Sequence, residues 1–265
     1  MARFAVVFLL ILTVTAAGAA SEPVVPLPAG LALDTKAKVV EVIDGSTVML
    51  DDGETVRLAG IETPKHITGD AASGMELLAE TARQRLARLV QGRRVGLAVG
   101  GTPRDRYGRL RAHMVRSDDG TWIQGALLAA GLARVHSLVD DRAAAAEMHV
   151  IERRARAAGL GIWSQPRYRV RTADQADDGL HNFQLVEGRV RAAAVVRGRG
   201  YLNFGDDWRQ DFTVSIAPRD RRRFETADIA IEDYEGRLVR VRGWVHSFNG
   251  PMIEATHPEQ IEVLE

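Results

Sequence analysis

The chain contains no cysteine. That excludes disulfides, thiolate metal sites, a cysteine nucleophile and a lipoprotein anchor at the amino end. It leaves export open, because an exported domain with a sufficient core needs no disulfide. Excess charge is lacking too: 35 lysines and arginines face 35 aspartates and glutamates. Any nucleic-acid binding must therefore come from local patches rather than from net charge. The seven histidines, His66, His113, His136, His149, His181, His246 and His257, show no zinc-binding spacing and no HExxH run. They are expected to be surface or local hydrogen-bonding residues, with Lys65–His66 as a remote candidate for an acid–base pair.

What is present fits two domains. The chain has 265 residues, 46% apolar and 26% charged, an ordinary globular composition. Arginine supplies most of the cationic charge, and its planar fork suits phosphate better than a lysine does. At the amino end Arg3 precedes the apolar run Phe4 to Ala16, and Ala17-Gly18-Ala19 offers small residues for cleavage. Residues 1–20 are expected to be a signal peptide, cut after Ala19 or Ala20, with an N-terminal membrane anchor as the alternative. The protein is then periplasmic or secreted, with no membrane span unless the leader is uncleaved. Residues 21–35, proline-rich from Pro23 to Pro28, are expected to form an extended spacer.

Hydrophobic periodicity predicts the elements that follow. Lys36 to Leu50 reads as strand and Asp51-Asp52-Gly53 as a hairpin turn, with Glu54 to Ile61 as the return strand. Ala71 to Val90 carries Met75, Leu78, Leu86 and Leu89 at near-helical spacing. Arg94 to Val99 and Leu110 to Val115 read as strands, and Trp122 to Leu132 and Ala143 to Ala158 as helices. A short curled sheet carrying helices is an α+β or barrel design. Residues 166–180 are polar and expected to be a linker. Residues 181–265 hold five or six short strands and little helix, which predicts a second small β-barrel domain.

Three segments carry candidate chemistry: Val42-Ile43-Asp44-Gly45-Ser46-Thr47-Val48, Val56-Arg57-Leu58-Ala59-Gly60-Ile61-Glu62-Thr63-Pro64-Lys65 and Asp105-Arg106-Tyr107-Gly108-Arg109-Leu110. Each sets acids or arginines at a strand end or turn, where a rigid sheet presents functional groups. Arg57 and Arg109 are both followed by apolar strand residues. Two guanidinium groups converging on one cleft would hold a phosphodiester and neutralise charge developing on phosphorus.

Together with the Gly-Leu-Gly-Ile-Trp ending at Trp163, these segments resemble the staphylococcal nuclease (thermonuclease) family over residues 36–165. The resemblance implies a mostly β, α+β fold: a five-stranded barrel of the oligonucleotide-binding (OB) type with three helices. It also implies calcium-dependent hydrolysis of DNA and RNA. By matched position the phosphate arginines are Arg57 and Arg109, with Arg106 and Tyr107 beside the substrate. The metal positions are Glu62, Thr63 and Ser46, and Lys65 stands at the position of the general base. Serine for aspartate at 46 removes a negative charge, and lysine for glutamate at 65 removes another and adds a positive one. Calcium gains affinity from carboxylate charge, so Ca2+ binding is expected to be weak. A protonated lysine cannot accept a proton from water, and losing a general base removes a factor of about 10²–10⁴ in rate. The family's paired tyrosines are replaced within Arg134 to Val139 by Ser137 and Val139.

The expected function is binding of nucleic acid or another phosphodiester ligand through the paired arginines, with hydrolysis impaired. One alternative is an active metal-dependent endonuclease with a rearranged site, in which Glu62 with Asp44 or Asp105 holds the metal. Another is an envelope scaffold with a protein partner and no nucleic acid. Asp44 itself is expected to cap a turn. In the second domain Arg197, Arg199 and Arg221 to Arg223 are candidates for a phosphate-tracking patch, with Tyr201, Phe204 and Trp208 as stacking surfaces. Tyr201 to Trp208 and Val241 to Trp244 more weakly resemble a small OB-type barrel.

Overall fold

The structure, a computed structural model, describes residues 24–65 and 72–264. The leader expected at 1–20, and His66, lie outside the described residues. Among those residues no helix is long and apolar enough to cross a membrane.

The first domain comprises β1 (Thr35–Asp44), β2 (Thr47–Leu50), β3 (Thr55–Leu58), β4 (Ile61–Glu62), α1 (Ala72–Val90), β5 (Arg94–Ala98), β6 (Leu110–Arg116), α2 (Ile123–Ala129), β7 (Arg134–Val135) and α3 (Ala145–Ala157). Strands β1-β2-β3-β6-β5 form a closed barrel, because β1 pairs with β5 through Thr35 to Lys38 and with β2 from Val39 onward. The β3–β6 pairing is parallel. Val39, Val48, Val56, Leu58, Leu97 and Met114 fill the interior, and Leu86 and Leu89 close it from α1.

Two expected strands are each broken in two. Lys36 to Leu50 turns at Gly45-Ser46. Glu54 to Ile61 breaks at Gly60, whose φ of +72° suits glycine; a Cβ there would also lie 2.4 Å from Met148 Cε. The expected spacer is docked. Val25 and Leu27 pack against the core, and the Trp122 amide donates to the Val25 carbonyl at 2.6 Å. Apolar residues among the prolines give that segment a face to bury.

The expected linker also has structure of its own. It holds two 3-10 segments and β8 (Arg171–Thr172), with Tyr168 and Ala176 buried. β8 runs parallel to β9 (Phe183–Arg189), so the second domain begins before 181. It continues with β10 (Ala192–Val196), β11 (Arg199–Asn203), β12 (Thr213–Ile216), α4 (Pro218–Thr226), β13 (Leu238–Ser247), β14 (Pro251–Glu254) and β15 (Ile261–Val263). The pairing path is β10-β11-β12-β14-β13-β9-β8, with β15 also on β13. Among the described residues no ladder closes this sheet into a ring; β9 and β10 are consecutive pieces of one run interrupted at Val190-Arg191. The β12–β14 pairing is parallel, as β3–β6 is in the first domain, and α4 falls where α1 does in the strand order. The two halves therefore share one OB-type strand topology. The arginine run Arg221 to Arg223 lies on helix α4: Pro218 starts it, and its Phe224 and Asp220 are buried.

The domains are joined through buried polar contacts. Arg242 of β13, 1% exposed, donates through Nη1 to Glu152 Oε2 and the Val135 carbonyl, both at 3.1 Å. Its Nη2 donates to Glu152 Oε1 at 3.1 Å and to Glu262. Ser137 Oγ meets His257 Nε2 at 2.8 Å. His113, His149 and His257 are buried rather than superficial.

Candidate nucleic-acid interface

The turn after β1 is built by Asp44. Its carboxylate accepts the Ser46 amide at 2.7 Å and the Ser46 and Thr47 hydroxyls at 3.1 Å each. Gly45 sits so close to α1 that a Cβ would lie 2.9 Å from both Ala82 Cβ and Thr63 Oγ1. Thr63 in turn donates to Ser46 Oγ at 3.2 Å, and both residues are buried. Asp44, Ser46, Thr47 and Thr63 thus satisfy one another.

Arg57 stands on β3 beside this turn. It donates to the Ser46 carbonyl at 3.3 Å and the Ile61 carbonyl at 3.2 Å. Neither partner is a carboxylate, so Arg57 makes no ion pair of its own, whereas Arg109 is ion-paired with the neighbouring Asp105 at 2.7 Å. Burial pushes this guanidinium below its usual range and the charge of Arg109 adds to that, while Asp44, Glu62 and Asp105 oppose it. Arg57 therefore lies within the field of Arg109 and of all three acids.

Arg109 is held by its own loop. Asp105 accepts the amides of Tyr107 and Arg109 at 2.9 and 3.0 Å and Arg109 Nε at 2.7 Å. Burial raises the Asp105 carboxyl, but these bonds outweigh it and hold the group below the usual carboxylate range. Arg106 and Arg109 flank the exposed Tyr107 ring, at 4.8 and 5.3 Å from its centroid, and Arg106 Nη2 donates to the Tyr107 hydroxyl at 2.7 Å. Two guanidinium groups and an open aromatic ring are thus presented together.

Glu62 faces a different set. Arg134 donates to Glu62 Oε2 through Nε at 3.0 Å and Nη2 at 2.6 Å, and Lys65 Nζ stands 3.8 Å from Oε1. Burial raises the Glu62 carboxyl, yet the charge and hydrogen bonds of Arg134, with His136 and Lys65, leave it below its usual value. Arg134 also donates to the Phe183 carbonyl at 3.0 Å and stacks on the Tyr168 and Phe183 rings. Among the described residues no group of three or more His, Cys, Asp or Glu side chains is arranged to hold a metal ion.

The residues singled out from sequence thus fall into two neighbouring sets. Arg106, Tyr107 and Arg109 stand together with Asp105, and Arg57, beside the Asp44 turn, lies within the field of Arg109. Ser46 and Thr63 are buried at that turn, with Glu62 and the exposed Lys65 to one side. Sequence reasoning missed Arg134, because nothing local signals a pairing across 72 residues of chain. In the second domain Phe204 is core, packed on Phe212, and so is unavailable for stacking. Arg199, Arg221 and Arg223 pair with Glu254, Glu225 and Asp220.

No curated protein matches the chain. A family model described as Staphylococcal nuclease homologue matches residues 55–165, a span that includes Arg57, Glu62, Thr63, Lys65, Arg106, Tyr107, Arg109 and Arg134. With the closed barrel, its parallel β3–β6 pair and its helices, that match identifies the first domain as a staphylococcal nuclease-like domain.

Proposed function

We propose that this domain binds nucleic acid or a related phosphodiester through Arg57 and Arg109, and that calcium-dependent hydrolysis is lost or severely impaired. The observation that carries the reading is Arg57: a half-buried guanidinium with carbonyl partners only, within the field of a second guanidinium, Arg109. A phosphate oxygen would supply the directly bonded anion that Asp44, Glu62 and Asp105, acting on Arg57 only through their field, do not, and a planar fork meets it with two parallel bonds.

Calcium takes six to eight hard oxygen ligands, and the residues present do not fit that demand. The Asp44 carboxylate is occupied by Ser46 and Thr47, and that of Asp105 by Arg109. Glu62 already faces two cations. Lys65 at the base position leaves water without a proton acceptor there. These same contacts weigh against a rearranged endonuclease site built from Glu62 with Asp44 or Asp105. The leader supports delivery to the periplasm or the medium.

The test is fluorescence anisotropy with labelled single-stranded DNA and RNA in the presence of a chelator. The mature chain is expected to bind, with affinity falling as salt rises. The Arg57→Ala and Arg109→Ala variants are each expected to bind roughly 10- to 100-fold more weakly, as for a lost hydrogen bond to a charged group. Unchanged binding in the double variant would refute the assignment. No binding by the wild-type chain would favour the scaffold reading.

A further inference from the structure

Two hollows meet at the seam between the domains. One, of about 300 Å³, is walled by Glu62, Thr63 and Lys65 on one side and by Tyr168, Phe183 and Trp244 on the other. The second, of about 600 Å³, is walled by Arg167, Arg169, Arg171 and Asp178. Arg167, Asn182 and Gln184 belong to both, so the hollows form one groove. It starts at Glu62 and Thr63, next to the carbonyl that holds Arg57, and leads away along the segment joining the domains.

The groove is charged in a chain that is not. Lys65, Arg134, Arg167, Arg169 and Arg171 face only Glu62 and Asp178. Arg134 is committed to Glu62, and Arg169 and Arg171 share the single carboxylate of Asp178 at 3.3 and 3.5 Å, while the Lys65 and Arg169 side chains are 71% and 51% exposed. Arg167 donates to the Asn182 side-chain oxygen at 3.2 Å rather than to a carboxylate. Trp244 of β13 is 59% exposed and brings an open indole to the same groove. Tyr168 and Phe183 are buried under Arg134, so Trp244 is the open ring of a cationic groove, a pattern that suits single strands, with phosphates tracked by cations and a base stacked on the ring. An indole can take a base only when that base is out of its duplex stack.

We propose that this interdomain groove is a track for single-stranded nucleic acid, with phosphates running past Lys65, Arg167 and Arg169 and a base stacked on Trp244. The second domain then extends the binding surface of the first, and a strand engaged at Arg57 and Arg109 continues into the seam. This proposal rests on the nucleic-acid reading of the arginine face.

The experiment measures anisotropy of labelled oligothymidylate and oligouridylate, short and long, on the full mature chain. Variants are Trp244→Ala, Trp244→Phe, Arg167→Glu and the Arg57→Ala/Arg109→Ala double change. Trp244 and Arg167 are exposed, so their replacement leaves both cores intact. Trp244→Ala is expected to weaken the longer oligonucleotides about 5- to 100-fold, the range for a lost base–aromatic stack. Trp244→Phe should recover most of that loss, and Arg167→Glu should flatten the salt dependence. Short oligonucleotides should respond to the double change and little to Trp244→Ala. If Trp244→Ala and Arg167→Glu bind long oligonucleotides like wild type while the double change does not, the track is overturned and the arginine face stands. If only the groove variants weaken binding, the track stands and the arginine face falls. Absence of wild-type binding to either polymer overturns both.

Discussion

The carboxylate of Glu62 lies 2.6 Å from the guanidinium of Arg134, and the two are separated by a strand pairing, β4 on β7. Glu62 and Arg134 are register partners in that pairing, so the backbone itself sets them side by side. The carboxylate best placed to attract a divalent cation is thereby neutralised within its own two-stranded sheet. Lys65 supplies a second positive charge from the adjacent loop.

Replacing Arg134 with glutamine should release Glu62. Its depressed carboxyl contributes stability that is present above its unfolded value of about 4.5. That contribution is lost as pH falls through the folded value. The variant should therefore be about 1–3 kcal/mol less stable at neutral pH, as for a lost partner of a largely buried charge. The difference should shrink toward pH 4. Urea unfolding at both pH values checks this, and an equal loss at both would contradict it.

Arg242→Met should be among the most damaging single changes, because it leaves Glu152 buried without its bidentate partner. A loss of about 3–5 kcal/mol is expected. Removing both partners, as Arg242→Met with Glu152→Gln, should cost less than the sum of the two single changes. Calorimetry of the four proteins measures the coupling. The single change should also resolve the domains into separate transitions, since the seam loses its central contact.

Acid should weaken the fold above the range in which most of its carboxylates titrate. Burial pushes His113, His136, His149 and His257 down to about 4, with neighbouring arginine charges adding at the last three. Each stays neutral when folded and takes up a proton when unfolded between about pH 6.5 and 4. Stability therefore falls with decreasing pH across that window, by about 1.4 kcal/mol per unit per histidine. Asp141, raised by burial to about 6, works in the opposite direction and offsets roughly one of them. A stability–pH curve that is flat from 6.5 to 4.5 would contradict these burials.

Much of the first domain could be read in advance from periodicity and turn chemistry. Asp44-Gly45 and Gly108 mark real turns, and Leu86 and Leu89 lie on the buried face of α1. What escaped depended on partners distant in sequence. Residues 166–180 look polar, yet Tyr168 and Ala176 each find a buried place that only the fold supplies. Helix α4 hides in an arginine run because its apolar face is little more than Phe224. The same limit applies to the site. Arg57 and Arg109 stand in recognisable segments, whereas Arg134, Phe183 and Trp244 are brought to Glu62 by strand pairing and by docking of a second domain. The likeness of the two halves showed in the sequence only as the weak OB-type resemblance of Tyr201 to Trp208 and Val241 to Trp244, because it resides in strand order, not in repeated residues.

Export can be checked directly. The protein purified from the envelope or medium of an expressing cell should begin at Ala20 or Ser21, as read by intact-mass and amino-terminal sequencing. An intact leader in membranes would favour the anchored alternative.

The central claim is that the arginine face holds a phosphodiester while the acidic half of a hydrolytic centre is missing. It is tested most directly by incubating the mature chain with single-stranded DNA and RNA in calcium, magnesium or manganese, with and without chelator, beside a Ser46→Asp/Lys65→Glu/Arg134→Gln variant. The wild-type chain should retain the strands uncut under every condition, and the variant should gain chelator-sensitive cleavage. Chelator-sensitive cleavage by the wild-type chain that disappears in Arg109→Ala would contradict the account.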